Sequence, residues 1–99
     1  MDALADFEDE SLDFVYIDGD HNFRFIAEDI YEWPKKVKKG GVIAGHDYTT
    51  LDGPGLYAAD CYAVKCIVDA YTRCFQIPKW YLLGKEREVD KYRSWFWIK

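Results

Sequence analysis

Hydrophobic residues fall along this chain in two alternating patterns. Residues 14–17 (Phe14, Val15, Tyr16, Ile17) form an unbroken apolar run, and residues 42–44 (Val42, Ile43, Ala44) form a second. Runs that do not alternate with polar residues predict strands covered on both faces. Between them Phe23, Ile26, Ala27, Ile30, Trp33 and Val37 recur at spacings of three and four. That is the period of an amphipathic helix of about four turns. Pro34 is expected to kink or end this helix near Glu32 and Trp33. Gly40 and Gly41 are expected to stop the segment and turn the chain. Strand, helix and strand in this order predict a βαβ unit with parallel strands.

Residues 1–9 read as a short acidic helical turn from which Leu4 and Phe7 can pack on the next elements, with a turn at Glu10 and Ser11. Residues 49–57 read as a loop, because Asp52, Gly53, Pro54 and Gly55 sustain neither helix nor strand. This loop is placed to cover whatever lies at the end of the second strand. A second amphipathic helix runs from about Asp60 through Val64, Ile67, Val68, Tyr71 and Phe75, with Pro78 closing the connection. Residues 80–83 are a third strand and residues 92–98 a fourth. The short charged stretch between them predicts an antiparallel hairpin. The expected architecture is one α/β domain over residues 1–99, in the order β-α-β-α-β-β. Its sheet is expected to be mostly parallel, with a C-terminal antiparallel hairpin.

Composition adds a constraint on the core. Of the 99 residues 49% are hydrophobic and 18% aromatic, with four Trp, eight Tyr and six Phe. Much of the buried surface must be aromatic, and that share on a small domain also points to a subunit interface. The net charge of −5 is unevenly spread, since residues 1–20 hold eight acids and no Lys or Arg. No basic stripe accumulates, which argues against nucleic acid as a partner. The run Lys35, Lys36, Lys38, Lys39 suits a helix C-terminus. No apolar run reaches the length that spans a bilayer, and the acidic N-terminus is unlike a secretory signal. Cys61, Cys66 and Cys74 have no C-x-x-C spacing and fall in or beside one helix. Buried thiols in a reducing, cytoplasmic compartment are the expectation.

The chemistry gathers where the first two strands end. The first runs into Asp18, Gly19, Asp20 and His21, the second into Gly45, His46, Asp47 and Tyr48. Ligands of open α/β sheets bind just beyond the carboxyl ends of strands. Asp18 and Asp47 on adjacent parallel strands would stand about 4.8 Å apart by strand spacing alone. Like charges that close call for a cation or a proton between them. Asp18 reads equally as a metal ligand or as a cap on the next helix, and Asp20 reads as that helix's N-cap. His21 is a general base toward a hydroxyl or a loop-fixing donor to a backbone carbonyl. His46 is a substrate or metal contact, and Tyr48 either stacks on a ligand or covers the strand end. The four Trp have core or interface spacing. No Ser-His-Asp order, zinc spacing or phosphate loop is present.

The segments "LDFVYIDGDH" and "DIYEWPKKVKKGGVIAGHDY" together resemble the carboxyl-terminal half of class I S-adenosylmethionine-dependent methyltransferases. They are closest to the small-molecule O-methyltransferase branch. The shared pattern is a strand ending in "IDG-x-H", a helix with "D-x-x-x-W", and "GGVIAGHDY". The resemblance implies a truncated, Rossmann-like methyltransferase half-domain of three layers, with strand order 4-5-7-6 in family terms and its last strand reversed. It implies S-adenosylmethionine and magnesium as cofactors, with Asp18, Gly19 and Tyr48 near the methyl donor and Asp18 and Asp47 on the metal. His21 or His46 would then assist deprotonation of a small-molecule hydroxyl. No glycine-rich loop precedes the first strand, so the half that grips the methionine and ribose ends is expected to be missing. The isolated chain is therefore expected to act as a non-catalytic module that dimerises or binds a small ligand, with the metal-assisted O-methyltransferase, completed by a partner or the missing half, as the alternative. Residues 14–17 would lie mid-sheet in the family. Losing one neighbour leaves an apolar edge, which predicts a homodimer through Phe14, Val15, Tyr16 and Ile17.

Overall fold

A computed structural model describes residues 2–18, 23–48, 56–84 and 93–99, with backbone alone for 2–3 and 56–62. The elements are α1 (Asp2–Ala5), β1 (Leu12–Ile17), α2 (Phe23–Lys36), β2 (Val37–Tyr48), α3 (Leu56–Cys74), β3 (Tyr81–Leu83) and β4 (Arg93–Ile98). The strands form one sheet in the order β1-β2-β4-β3. β1 and β2 pair in parallel, as the helical period between two apolar runs requires. β4 is antiparallel to both β2 and β3. The sheet is therefore mixed, and the expectation of a mostly parallel sheet is corrected. β1, β2 and β3 run one way, and the reversed β4 sits between β2 and β3. This reproduces the expected 4-5-7-6 order.

Pairing assigns each strand residue to a face. Val15, Ile43 and Trp97 share one face with Ile17, Gly45, Trp95 and Leu82. On this face Ile43, Trp95 and Trp97 are buried against Ile26 and Ile30 of α2 and Val64 and Val68 of α3. Phe14, Tyr16, Val42, Ala44, Phe96, Ile98, Tyr81 and Leu83 occupy the other face. Phe14 is 55% exposed and Tyr16 46%. Among the described residues the domain has two layers, and the expected three-layer unit with both faces of β1 covered is corrected. An apolar run identifies a strand, but whether a helix lies over each face is decided elsewhere in the chain.

α2 runs past the point where Pro34 was expected to stop it and ends at Lys36. Pro34 removes one N–H donor in the last turn. The orphan carbonyls of that turn find other donors. Glu10 and Ser11 give their backbone N–H groups to Lys35 and Lys36 at 2.9 Å each. The Lys99 ammonium donates to the carbonyls of Pro34 at 3.0 Å and Val37 at 2.7 Å. A cation there also suits the helix dipole. β2 then begins at once, not at Val42. Its register jumps from Leu12↔Val37 to Phe14↔Val42, so Gly40 and Gly41 lie within an irregular stretch of the strand. Gly40, at φ +88°, takes a backbone conformation that only glycine adopts cheaply.

Phe7 lies 6.0 Å from Trp33 between ring centres, which ties α1 to α2. α3 already includes Leu56 and Tyr57, which the sequence assigned to the preceding loop. Residues 49–55, the rest of that expected lid, lie outside the described residues. Cys66 and Cys74 are free and exposed, which corrects the expectation of buried thiols for these two; the Cys61 side chain lies outside the described residues. No helix among the described residues is long and apolar enough to cross a membrane.

Candidate functional site

β1 and β2 end side by side, Ile17 opposite Gly45. Asp18 follows β1 directly, and His46, Asp47 and Tyr48 close β2. Gly45 sets this rim. A Cβ built there would stand 2.2 Å from Cζ2 of Trp95 and 2.7 Å from the carbonyl oxygen of Ile17. Only glycine lets the buried Trp95 ring lie this close to the strand. The same indole donates its Nε1–H to the carbonyl of His46 at 3.2 Å. Trp95 is thus a clamp from β4 onto the end of β2.

Beyond Gly45 the ladder is broken. Gly45 pairs with Trp95 and Tyr48 with Arg93, so one extra residue of β2 bulges out. Asp47 takes φ +66° in this bulge, a left-handed conformation that Asp tolerates better than most residues. Bulges of this kind re-aim side chains at strand ends. The Asp47 side chain is largely buried, and its Oδ1 lies 3.0 Å from Nδ1 of His46. A carboxylate at that distance favours the tautomer with the proton on Nδ1, which leaves Nε2 as the basic atom of the ring.

Asp18, His46 and Asp47 each bring one ligand atom into a group whose members all lie within 4.8 Å of one another. Asp18 is exposed, His46 half-buried and Asp47 buried. The structure thus brings together three of the residues singled out from the sequence. The donors are two carboxylates and an imidazole, a set suited to a divalent cation.

Tyr48 goes into the core. It is 5% exposed, and its hydroxyl donates to Oδ1 of Asp69 at 2.6 Å. Lys65 donates to the other oxygen of Asp69 at 2.8 Å. Burial, reinforced by the Asp69 carboxylate, pushes the phenol pKa up to about 12. The ring lies 5.7 Å from that of Trp80. Tyr48 thus ties β2 to α3. Gly19, Asp20 and His21 lie outside the described residues.

Three supporting contacts were not anticipated. Lys65 and Asp69 are an i,i+4 pair on α3, a spacing visible in the sequence. The Trp95 bond to His46 spans 49 positions, and no local pattern signals it. The third involves the "D-x-x-x-W" element: Trp33 lies one turn after Asp29 on α2 and acts on its carboxyl. Burial raises the Asp29 carboxyl pKa, Trp33 opposes the shift, and the charge of Glu28 adds to it. One Asp29 oxygen, Oδ1, is buried without a hydrogen-bond partner among the described residues.

Residues 1–48 match the family model described as a methyltransferase domain. This stretch contains β1, α2, β2 and all three members of the rim cluster. No curated protein and no solved structure gives a significant match to the chain.

Proposed function

We propose that this chain, methyltransferase-like over residues 1–48, is a partial methyltransferase-type module that binds a divalent cation and a small oxygen-bearing ligand at the β1–β2 rim. As an isolated chain it acts in binding and assembly. The observation that carries this reading is the convergence of Asp18, His46 and Asp47 within 4.8 Å. The strand order, with β4 reversed between β2 and β3, supports reading the chain as a truncated Rossmann-like unit.

The donor set fits the cation. Magnesium would be held by Asp18 and Asp47, and manganese also by His46. Such an ion, when bound, lowers the pKa of a coordinated hydroxyl. Asp18 would meet it from the solvent side and Asp47 from the buried side. With magnesium on the two carboxylates, His46, its Nδ1 directed to Asp47, would keep Nε2 to accept a hydroxyl proton; with manganese on the ring, His46 would be a ligand and not the base. For S-adenosylmethionine the fit is incomplete. Among the described residues the rim has cation ligands but no glycine-rich turn for the methionine and ribose ends.

A second reading is a complete S-adenosylmethionine-dependent O-methyltransferase acting on a small-molecule hydroxyl. A partner or the missing half itself would complete the cofactor site, and His21 or His46 would act as base. The family match favours it.

Titration calorimetry with manganese and magnesium tests the proposal. Heat is expected with the native chain, and Asp18→Asn should weaken binding at least about tenfold, on the order of one lost charged ligand. Asp18 is exposed, so this substitution leaves the fold intact. Absence of heat with either metal would overturn the cation site. Heat with S-adenosylhomocysteine in the presence of metal would favour the second reading.

A further inference from the structure

The sheet face opposite α2 and α3 is apolar, and no described helix lies over it. Phe14, Tyr16, Tyr81, Leu83 and Ile98 are 55, 46, 45, 57 and 61% exposed, and pairing places all five on this one face. Tyr81 stacks on Phe96 at 4.9 Å, which joins β3 to the patch. Val42, Phe96, Ala44 and Ser94 complete it, and none of these nine paired positions is charged; the exposed ion pair of Asp13 and Lys38 lies just before Phe14 on β1 and Val42 on β2.

We infer that this face packs against the same face of a second copy, sheet on sheet about a two-fold axis. Two features select a second copy as the occupant. The first is area. At 150–250 Å² per large side chain, the five exposed residues present roughly 450 Å² per chain. Two copies then bury about 900 Å² before Val42 and Phe96 are added, which approaches the roughly 1,000 Å² of a specific interface. A patch of this size falls within the roughly 300–600 Å² of the largest apolar patch on a single soluble chain, and such a patch is often functional. The second is charge. The chain carries a net −5, and most ways of joining two copies oppose acids. A patch without charged side chains meets itself across a two-fold axis with no like-charge contact. A basic or acidic partner would call for complementary charges on the patch, and its paired positions hold none.

β1 is also an edge of the sheet, and it contributes Phe14 and Tyr16 to the face. Joining two β1 edges would satisfy backbone groups but leave Tyr81, Leu83 and Ile98 in water. Face-to-face packing covers all five residues.

Light scattering tests the inference. The native chain is expected at twice its 11.6 kDa mass. Leu83→Lys and Ile98→Lys lie away from β1 and are exposed in the single chain, so each should keep the native far-ultraviolet circular dichroism. Together they should reduce the particle to 11.6 kDa. A dimer that survives both substitutions, as pairing of β1 edges would allow, overturns the sandwich. A native chain that stays single up to high micromolar concentration also overturns it, and leaves the face to a different chain.

Discussion

Gly45→Ala probes the rim most directly. The added methyl would lie 2.2 Å from Cζ2 and 2.6 Å from Cε2 of Trp95, with the Ile17 carbonyl oxygen at 2.7 Å. Ordinary carbon contacts lie at about 3.5–4.0 Å, so one partner must move by more than an ångström. The Ile17 oxygen belongs to the β1–β2 ladder. Trp95 is fully buried, stacks on Trp97 at 5.3 Å between centroids and bonds the His46 carbonyl. Overpacking costs about 1–3 kcal/mol, and loss of the indole hydrogen bond adds about 1 kcal/mol. A domain of this size loses about 4–8 °C of melting temperature per kcal/mol, so a fall of roughly 8–32 °C is expected. Thermal unfolding followed by circular dichroism, checked by urea titration, measures it. Adding Trp95→Phe should return part of the loss, with a coupling of about 0.5–3 kcal/mol. Manganese binding should weaken as well, because the Trp95 clamp holds His46. A melting temperature within about 3 °C of native, or strictly additive losses, would refute the steric argument.

Two further outcomes rest on ionisable groups that are buried or partly buried. Removing the Tyr48 hydroxyl with Tyr48→Phe should cost about 1–2 kcal/mol, because it strips a donor from Asp69. The raised phenol pKa also sets a pH window. Its stabilisation is whole below the usual value of 10.0 and is lost as pH rises through about 12. The native protein should therefore lose more stability than Tyr48→Phe over that interval, and equal slopes would count against the buried hydroxyl. Asp29 behaves alike at the acidic end. Its raised pKa makes the neutral carboxyl the better-tolerated form, fully present below 3.8 and lost as pH rises through the folded-state value. Asp29→Asn should raise the melting temperature at neutral pH, with the gain shrinking toward about pH 3.5. No gain at neutral pH would show that burial of the charge is relieved in some other way.

Local patterns carried much of this protein. The three- and four-residue spacing of Ile26, Ile30 and their neighbours, between two apolar runs, was enough to specify a parallel β1–β2 pair. The rim was legible for the same reason: Asp18, His46 and Asp47 each sit one to three residues beyond a recognisable strand core. Their approach to within 4.8 Å follows once those strands are neighbours. The hairpin direction of β3 and β4 was equally local, set by the short charged stretch between them.

Other features depended on residues far apart in sequence. Pro34 looked like a helix end because the donors that rescue its turn come from Glu10, Ser11 and Lys99. Tyr48 looked like a ligand platform until Asp69, 21 positions away, took its hydroxyl. The face of β1 that stays open could not be read from Phe14, Val15, Tyr16 and Ile17. All four are apolar, and only the packing of α2 and α3 on the side of Val15 and Ile17 separates them. Periodicity is a property of neighbours along the chain, so it determines elements and their ends. Burial is a property of neighbours in space, so which sheet face receives helices was decided by the assembled fold.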